Sequence, residues 1–291
     1  MAETAGSDSA GHIMRTVNAA ALKIDCLYHY QPYRSEWLEQ TLTGSRLYFS
    51  NPMNFNDPWD FRPNFSSEIL VEPATRERNI RWLDAMSRKY HAHLPEEEHL
   101  RRARKLQDDK AYFSWVIGEV SARTAQAAAD RYRVYCVSAA PDNTLMWSHY
   151  AASHTGICLE FACRNKIFGT AIRVQYLSRY PAFDLSDNED DTILLPWLTK
   201  SDAWSYEQEF RVIAQEKVTT PPPPDEVLVT RNGLLKLPPG VLKSVILGCS
   251  ISPAAAAHIR GLVGRQIFPS VALRRMVRRL DRYELSIEAD T

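Results

Sequence analysis

The 291-residue chain carries 35 Lys plus Arg against 35 Asp plus Glu, so its formal net charge is zero, and 45% of its residues are hydrophobic. Balanced charge excludes a strongly basic nucleic-acid coat and an acidic disordered tail, and the composition is that of a globular protein with a large core. No stretch approaches the roughly 18 consecutive apolar residues of a membrane span, and Met1 to Asn18 lacks the apolar centre of a secretory signal. The expected address is therefore the cytosol, with no membrane partner.

In chain order, residues 1–20 are small and polar without periodicity, which predicts a disordered tail and a fold that starts near Lys23. Cys26 to Tyr30 and Arg46 to Ser50 read as strands. Between them Ser35 to Leu42 reads as a short helix with a Ser cap and a Gly44 stop. From about residue 66 to 131, Ile80, Leu83, Met86, Leu100, Phe113, Val116, Ile117 and Val120 recur at helical spacing and predict a helical insertion. Strands follow at Arg133 to Ser138, Gly156 to Phe161, Ile172 to Leu177 and Phe210 to Ala214, each rich in β-branched or aromatic residues. Pro221 to Pro224 is a stiff link. A last unit comprises a strand at Ser244 to Leu247, a helix after Ser252-Pro253, and strands at Val271 to Val277 and Tyr283 to Ile287. The expected fold is a single α+β domain over residues 21–291 with a central, mainly antiparallel sheet.

The five cysteines (Cys26, Cys136, Cys158, Cys163 and Cys249) are odd in number and widely spread, and no pair has the two-residue gap of a zinc knuckle. They read as reduced thiols that pack as small hydrophobes, and no metal site is expected.

Four polar clusters stand in aromatic or apolar surroundings, where a polar group costs free energy unless it is bonded or used. They are Leu27-Tyr28-His29-Tyr30 with Leu47-Tyr48-Phe49-Ser50; Asn54-Phe55-Asn56-Asp57-Pro58-Trp59-Asp60; Asn143 to Tyr150 leading to Gly156; and Lys200, Trp204 and Tyr206-Glu207-Gln208-Glu209-Phe210-Arg211. The words Leu27 to Tyr30, Phe55-Asn56-Asp57-Pro58, Met146-Trp147-Ser148-His149-Tyr150-Ala151 and Trp204 to Arg211 resemble the bacterial family catalogued as domain of unknown function 2971, from about Leu27 to Gly248. That resemblance implies no particular activity.

Glu207 and Glu209, two residues apart on what reads as an extended segment, face the same side about 7 Å apart. This pair resembles the paired glutamates of ADP-ribosyltransferases, and strand, short helix, Gly44 and strand resemble the first half of that fold. The resemblance implies that His29 bonds a ribose hydroxyl of NAD, that Tyr48 or Ser50 with nearby aromatics forms a ring pocket, and that Glu209 is the catalytic carboxylate, with Glu207 beside it. Tyr30, Asn56, Asp57, Trp147, Tyr150 and Arg211 complete the expected NAD or nucleotide site, and His149 and Lys200 are candidates for a phosphate. The acceptor would be nucleic acid, protein or a small molecule. Fixed carboxylates suit this chemistry because cleavage of the nicotinamide-ribose bond builds oxocarbenium character.

Structural readings stand beside these. An exposed strand edge with a Glu209–Arg211 ion pair explains the glutamates without chemistry. His29 fits a half-buried histidine, Asn56-Asp57-Pro58 a rigid turn, and Trp147 and Tyr150 a core. Asp57, Glu207, Glu209, Lys200 and His149 also contain the ingredients of a magnesium-dependent nuclease or phosphodiesterase, although Lys200 precedes both glutamates where the common nuclease signature places it after them. A non-catalytic nucleotide-binding or protein-interaction module is the third class, and Arg274, Arg275, Arg278, Arg279 and Arg282 read as a solvated basic face.

Overall fold

The computed structural model describes residues 16–65, 72–181, 183–186, 194–217, 227–265 and 271–290. The chain opens with β1 (Cys26–Gln31), α1 (Ser35–Leu42) and β2 (Arg46–Tyr48), and α2 (Pro73–Tyr90), α3 (Glu96–Asp108) and α4 (Lys110–Arg131) then leave the sheet. It returns through β3 (Tyr132–Ser138), α5 (Thr144–His149), β4 (Ile157–Ala162), β5 (Ile172–Arg173), β6 (Gln175–Leu177), β7 (Thr199–Ser201) and β8 (Glu209–Glu216). It closes with β9 (Val229–Thr230), β10 (Leu234–Lys236), β11 (Leu242–Leu247), α6 (Pro253–Gly264), β12 (Ala272–Arg278) and β13 (Leu285–Ala289).

The main sheet runs β13-β12-β11-β4-β1-β3-β8-β5, with β9 against β8. It is mainly antiparallel, so the molecule is of the α+β kind. The β11–β12 pair is parallel because α6 carries the chain back to the starting edge, and β8–β9 is parallel as well. β2 and β10 form a separate small ladder, as do β6 and β7.

β4 is apolar almost throughout because both its faces are covered. Leu27, Leu159, Phe161 and Leu247 pack on one face with Leu38 of α1 and Ile259 of α6. Tyr30, Cys158, Ile246 and Met276 pack on the other against Trp147 of α5. Ile80, Leu83, Leu106, Phe113 and Ile117 of α2–α4 make a separate cluster with Leu185.

The sheet opens between β1 and β3. β1 is registered with β4 along its whole length, but with β3 only at Tyr28–Ser138. Beyond that pair the His29 ring takes over from the backbone, its Nδ1 lying 2.8 Å from the Cys136 carbonyl oxygen. This opening creates the cleft described below.

Three expectations are corrected. Residues 16–20 are not tail: Asn18 bridges Ile172, the Ala19 amide donates to the Ala171 carbonyl at 2.8 Å, and Ala19 is fully buried. One bridge and one alanine leave no periodicity in a sequence. Ser35 is the first helical residue of α1 and not its cap, Arg34 holding the cap position without a side-chain bond. Ile172 to Leu177 is two short strands on different partners, β8 and β7. Residues 1–15, the start of the predicted helical insertion at 66–71, and the proline link 221–224 lie outside the described residues.

After α5, Ala152, Ser153 and His154 have φ of 47°, 53° and 67°. A left-handed turn of L-residues costs roughly 1–2 kcal/mol per residue, so the surroundings must hold it. The Ser153 and His154 amides donate to the Ser148 and Trp147 carbonyls at 3.1 Å, and the Ser250 amide donates to the His154 carbonyl at 3.0 Å. This requires a bare backbone alongside: a Cβ on Gly248 would lie 2.1 Å from the His154 carbonyl oxygen. Gly248→Ala is expected to destabilise by about 1–3 kcal/mol, the usual cost of overpacking. Gly118→Ala, on α4 with nothing within 4 Å of its Cβ, is expected to stabilise by about 0.5–1 kcal/mol. Urea midpoints of the two variants check both signs.

Candidate functional site

Where the sheet opens there is a cleft of about 190 Å³ lined by His29, Tyr28 and Tyr30 of β1, Cys136 and Ser138 of β3, Ser50, Asn56, Asp60, Tyr150, Lys200, Glu207 and Glu209. Ser50 reaches it because its backbone bridges Val134. Asn56 and Asp60 reach it from the turn after Pro52–Asn54, which Asn51 caps by accepting from the Met53 amide at 2.9 Å. Tyr150 ends α5, whose start Asn143 caps by accepting from the Leu145 and Met146 amides.

Glu207 and Glu209 do not sit on one extended segment. Glu207 ends a 3-10 helix, Asp202–Glu207, and Glu209 begins β8; Gln208 between them is left-handed, φ 45° and ψ 48°. The reversal points both carboxylates at one ammonium. Lys200 Nζ donates to Glu207 Oε2 at 2.7 Å and lies 3.6 Å from Glu209 Oε2 and 3.7 Å from Asp60 Oδ2. Behind them Arg211 is fully buried. Its Nε and Nη2 donate to Glu209 at 2.8 and 2.9 Å, Nη2 donates to Asp60 at 2.7 Å, and Nη1 donates to the Trp197 carbonyl at 2.7 Å. Asp60, Glu207 and Glu209 thus share two cations.

The two glutamates are driven apart in acidity. Burial and the neighbouring Glu209 charge raise the Glu207 carboxyl, and Lys200 offsets this only in part. Burial also pushes Glu209 upward, but Arg211 and Lys200 outweigh it and bring its carboxyl down to about 2. Glu209 is a permanent anion, and Glu207 is the member of the pair able to gain or lose a proton. The Tyr150 hydroxyl donates to Glu207 Oε1 at 2.5 Å.

Burial lowers His29 to about 4 against the opposing pull of the Cys136 carbonyl. The ring is therefore neutral at pH 7. A carbonyl only accepts, so Nδ1 carries the proton and Nε2 is left as an acceptor. The ring stacks on Tyr135, with centroids 4.3 Å apart, which fixes its plane.

Of the residues expected in the site, His29, Tyr30, Ser50, Asn56, Tyr150, Lys200, Glu207 and Glu209 line this cleft. The others do not. Trp147 is fully buried, its indole N–H donating to the Pro141 carbonyl at 2.9 Å, so it packs the core and has no free polar handle. His149 turns away to the Tyr206 hydroxyl, 2.9 Å from Nδ1. Arg211 is sealed behind Glu209 and does not line the cleft. Asp57 uses Oδ1 to accept from the Trp59 amide at 2.9 Å and faces a neighbouring hollow beyond Lys200 and Asp60. Tyr48 faces a different hollow on the His29 side. Asp60, Tyr28, Cys136 and Ser138 are additional members of the site. Asp60 was legible as the second acid of its turn and Tyr28 as a member of the Leu27 to Tyr30 cluster, but Cys136 and Ser138 carry no signal of their own.

Residues 146–212 match the model of a family described as "Protein of unknown function (DUF2971)". This supports the resemblance drawn from the motifs, for a segment that includes Tyr150, Lys200, Glu207, Glu209 and Arg211 and leaves out His29. No curated protein and no solved structure matches the chain. Among the described residues no helix is long and apolar enough to cross a membrane, and no group of three His, Cys, Asp or Glu side chains is arranged to hold a metal ion.

Two outcomes are expected. Arg211→Met leaves Glu209 and Asp60 buried with one cation fewer, and should cost about 3–5 kcal/mol of stability by denaturant unfolding. His29 binds its proton less readily folded than unfolded, so its contribution to stability is complete above about pH 6.5 and is lost as the pH falls toward 4. The wild-type thermal midpoint should drop across that window, and His29→Gln should flatten the drop.

Proposed function

We propose that the protein is an ADP-ribosyltransferase-like enzyme that breaks the nicotinamide-ribose bond of NAD and passes the ADP-ribosyl group to an acceptor, a nucleic acid or a protein. The observation that carries the reading is that His29 on β1 and the Glu207–Glu209 pair at the start of β8 line one cleft where the sheet splits. In the reaction the C1′–N bond breaks and nicotinamide leaves with the electron pair. A ribose hydroxyl donates to His29 Nε2, which orients the sugar. Glu209, locked as an anion, opposes the positive charge that develops on the ribose. The acceptor's nucleophile bonds C1′ and gives its proton to Glu207, whose raised pKa suits a general base. The division of labour thus shifts toward Glu207 compared with a single catalytic Glu209.

The nuclease reading has less support, because Asp60, Glu207 and Glu209 already lie against Lys200 or Arg211, and Asp57 faces another hollow. A magnesium ion would have to displace those cations.

Incubation with NAD and measurement of released nicotinamide tests the proposal. Glu207→Gln should lower the rate about 10²- to 10⁴-fold, and the wild-type rate should rise with pH through a midpoint above the ordinary carboxyl value of 4.5, as Glu207 loses its proton. Absence of NAD binding and of nicotinamide release in the wild type would refute it.

A further inference from the structure

A hollow of about 470 Å³ adjoins the central cleft and shares His29, Ser50 and Cys136 with it. Trp37 of α1 and Tyr48 of β2 both line it, and they are 53% and 56% exposed. Single exposed aromatics are ordinary, but two on one hollow offer rings on which a flat ligand can stack. The Tyr48 ring is seated by backbone: Gly233, at φ +73°, lies so close that a Cβ there would stand 2.6 Å from Tyr48 Cε2. Only glycine fits beneath the ring, and the Phe49 amide donates to the Gly233 carbonyl at 2.7 Å, locking the two segments together.

The chemistry of the lining selects the occupant. Among the described residues no Asp, Glu, Lys or Arg lines this hollow, and its imidazole, His29, is neutral at pH 7. Its polar groups include the side-chain amides of Gln31 and Gln40, and Gln31 Nε2 is buried without a partner among the described residues. An uncharged hollow disfavours a phosphate, a guanidinium or a pyridinium ring. It fits a flat, neutral heterocycle with donors and acceptors on its edge, and a glutamine amide matches the paired donor and acceptor of adenine. The volume lies within the roughly 300–1,000 Å³ of small-molecule sites.

We infer that this hollow binds the adenine base of a nucleotide, stacked on Trp37 and Tyr48 with the Gln31 and Gln40 amides on its polar edge. The inference rests on the nucleotide chemistry proposed for the central cleft. It gives the dinucleotide a direction, adenine toward α1 and nicotinamide toward Lys200.

Calorimetric titration of the full chain with AMP, ADP-ribose, GMP and nicotinamide mononucleotide tests it. AMP and ADP-ribose should bind, GMP and nicotinamide mononucleotide at least about tenfold more weakly. Trp37→Ala should weaken AMP about tenfold or more, as expected for loss of base stacking, and Trp37→Phe should recover most of it. Because Trp37 is largely exposed, its replacement leaves the core intact. Failure of AMP to bind the wild type, or equal binding by Trp37→Ala, overturns the inference. The two proposals fail separately. Nicotinamide release with an unchanged KM in Trp37→Ala sinks the adenine site and leaves the enzyme. AMP binding that depends on Trp37, in a protein that never turns over NAD, supports the adenine site and sinks the enzyme.

Discussion

A fully buried guanidinium organises the centre of this molecule. Arg211 makes four hydrogen bonds to two carboxylates and a backbone carbonyl, and each of those partners comes from a different part of the chain: Glu209 from β8 itself, Asp60 from the turn after β2, Trp197 from the approach to β7. Burying a charge of this kind is costly unless opposite charges and well-aligned hydrogen bonds compensate it. Lys200 extends the arrangement by bridging Asp60, Glu209 and Glu207. With Glu207 ionised, three acids face two cations and the group carries one negative charge; with Glu207 protonated it is neutral. Arg211 beside Glu209 and the burial of Glu207 set the two glutamates apart in acidity, and the left-handed Gln208 between them is the backbone strain that makes the sharing possible.

The second determinant is the parting of β1 from β3. A continuous ladder there would leave no hollow, because paired strands lie under 5 Å apart. The His29 ring satisfies the Cys136 carbonyl that the missing ladder exposes, so the feature that opens the sheet also fixes the imidazole in one tautomer and one plane. Structural satisfaction and a role toward a ligand do not compete in His29, since its two ring nitrogens divide them.

How much of this the sequence reveals depends on range. Apolar, β-branched and aromatic runs locate β1, β4 and β11, and helical spacing locates the insertion that holds α2–α4, because those signals are local. The grouping of His29, Tyr150, Lys200, Glu207 and Glu209 was legible because each stands out as a polar group among aromatics. The burial of Arg211 was not, since an Arg two residues past a Glu on a strand looks the same on a solvated edge as in a core. Nor was the short α5, six residues whose boundary is set by the Asn143 cap and which are too few to show a period. His149, adjacent to the useful Tyr150 in one motif, points elsewhere because helical geometry turns neighbours by about 100°.

The chain that departs after Ser50 comes home at Val134, and the two residues exchange both backbone hydrogen bonds at 2.9 Å. The helices α2–α4 between them, whose apolar cluster Leu185 joins, form an excursion whose two ends are stapled together. Closing such a loop costs entropy that grows only with the logarithm of its length. Nature could therefore lengthen, trim or redecorate those helices at little thermodynamic expense, while the stretches flanking the staple, which do contribute to the cleft, have no such latitude.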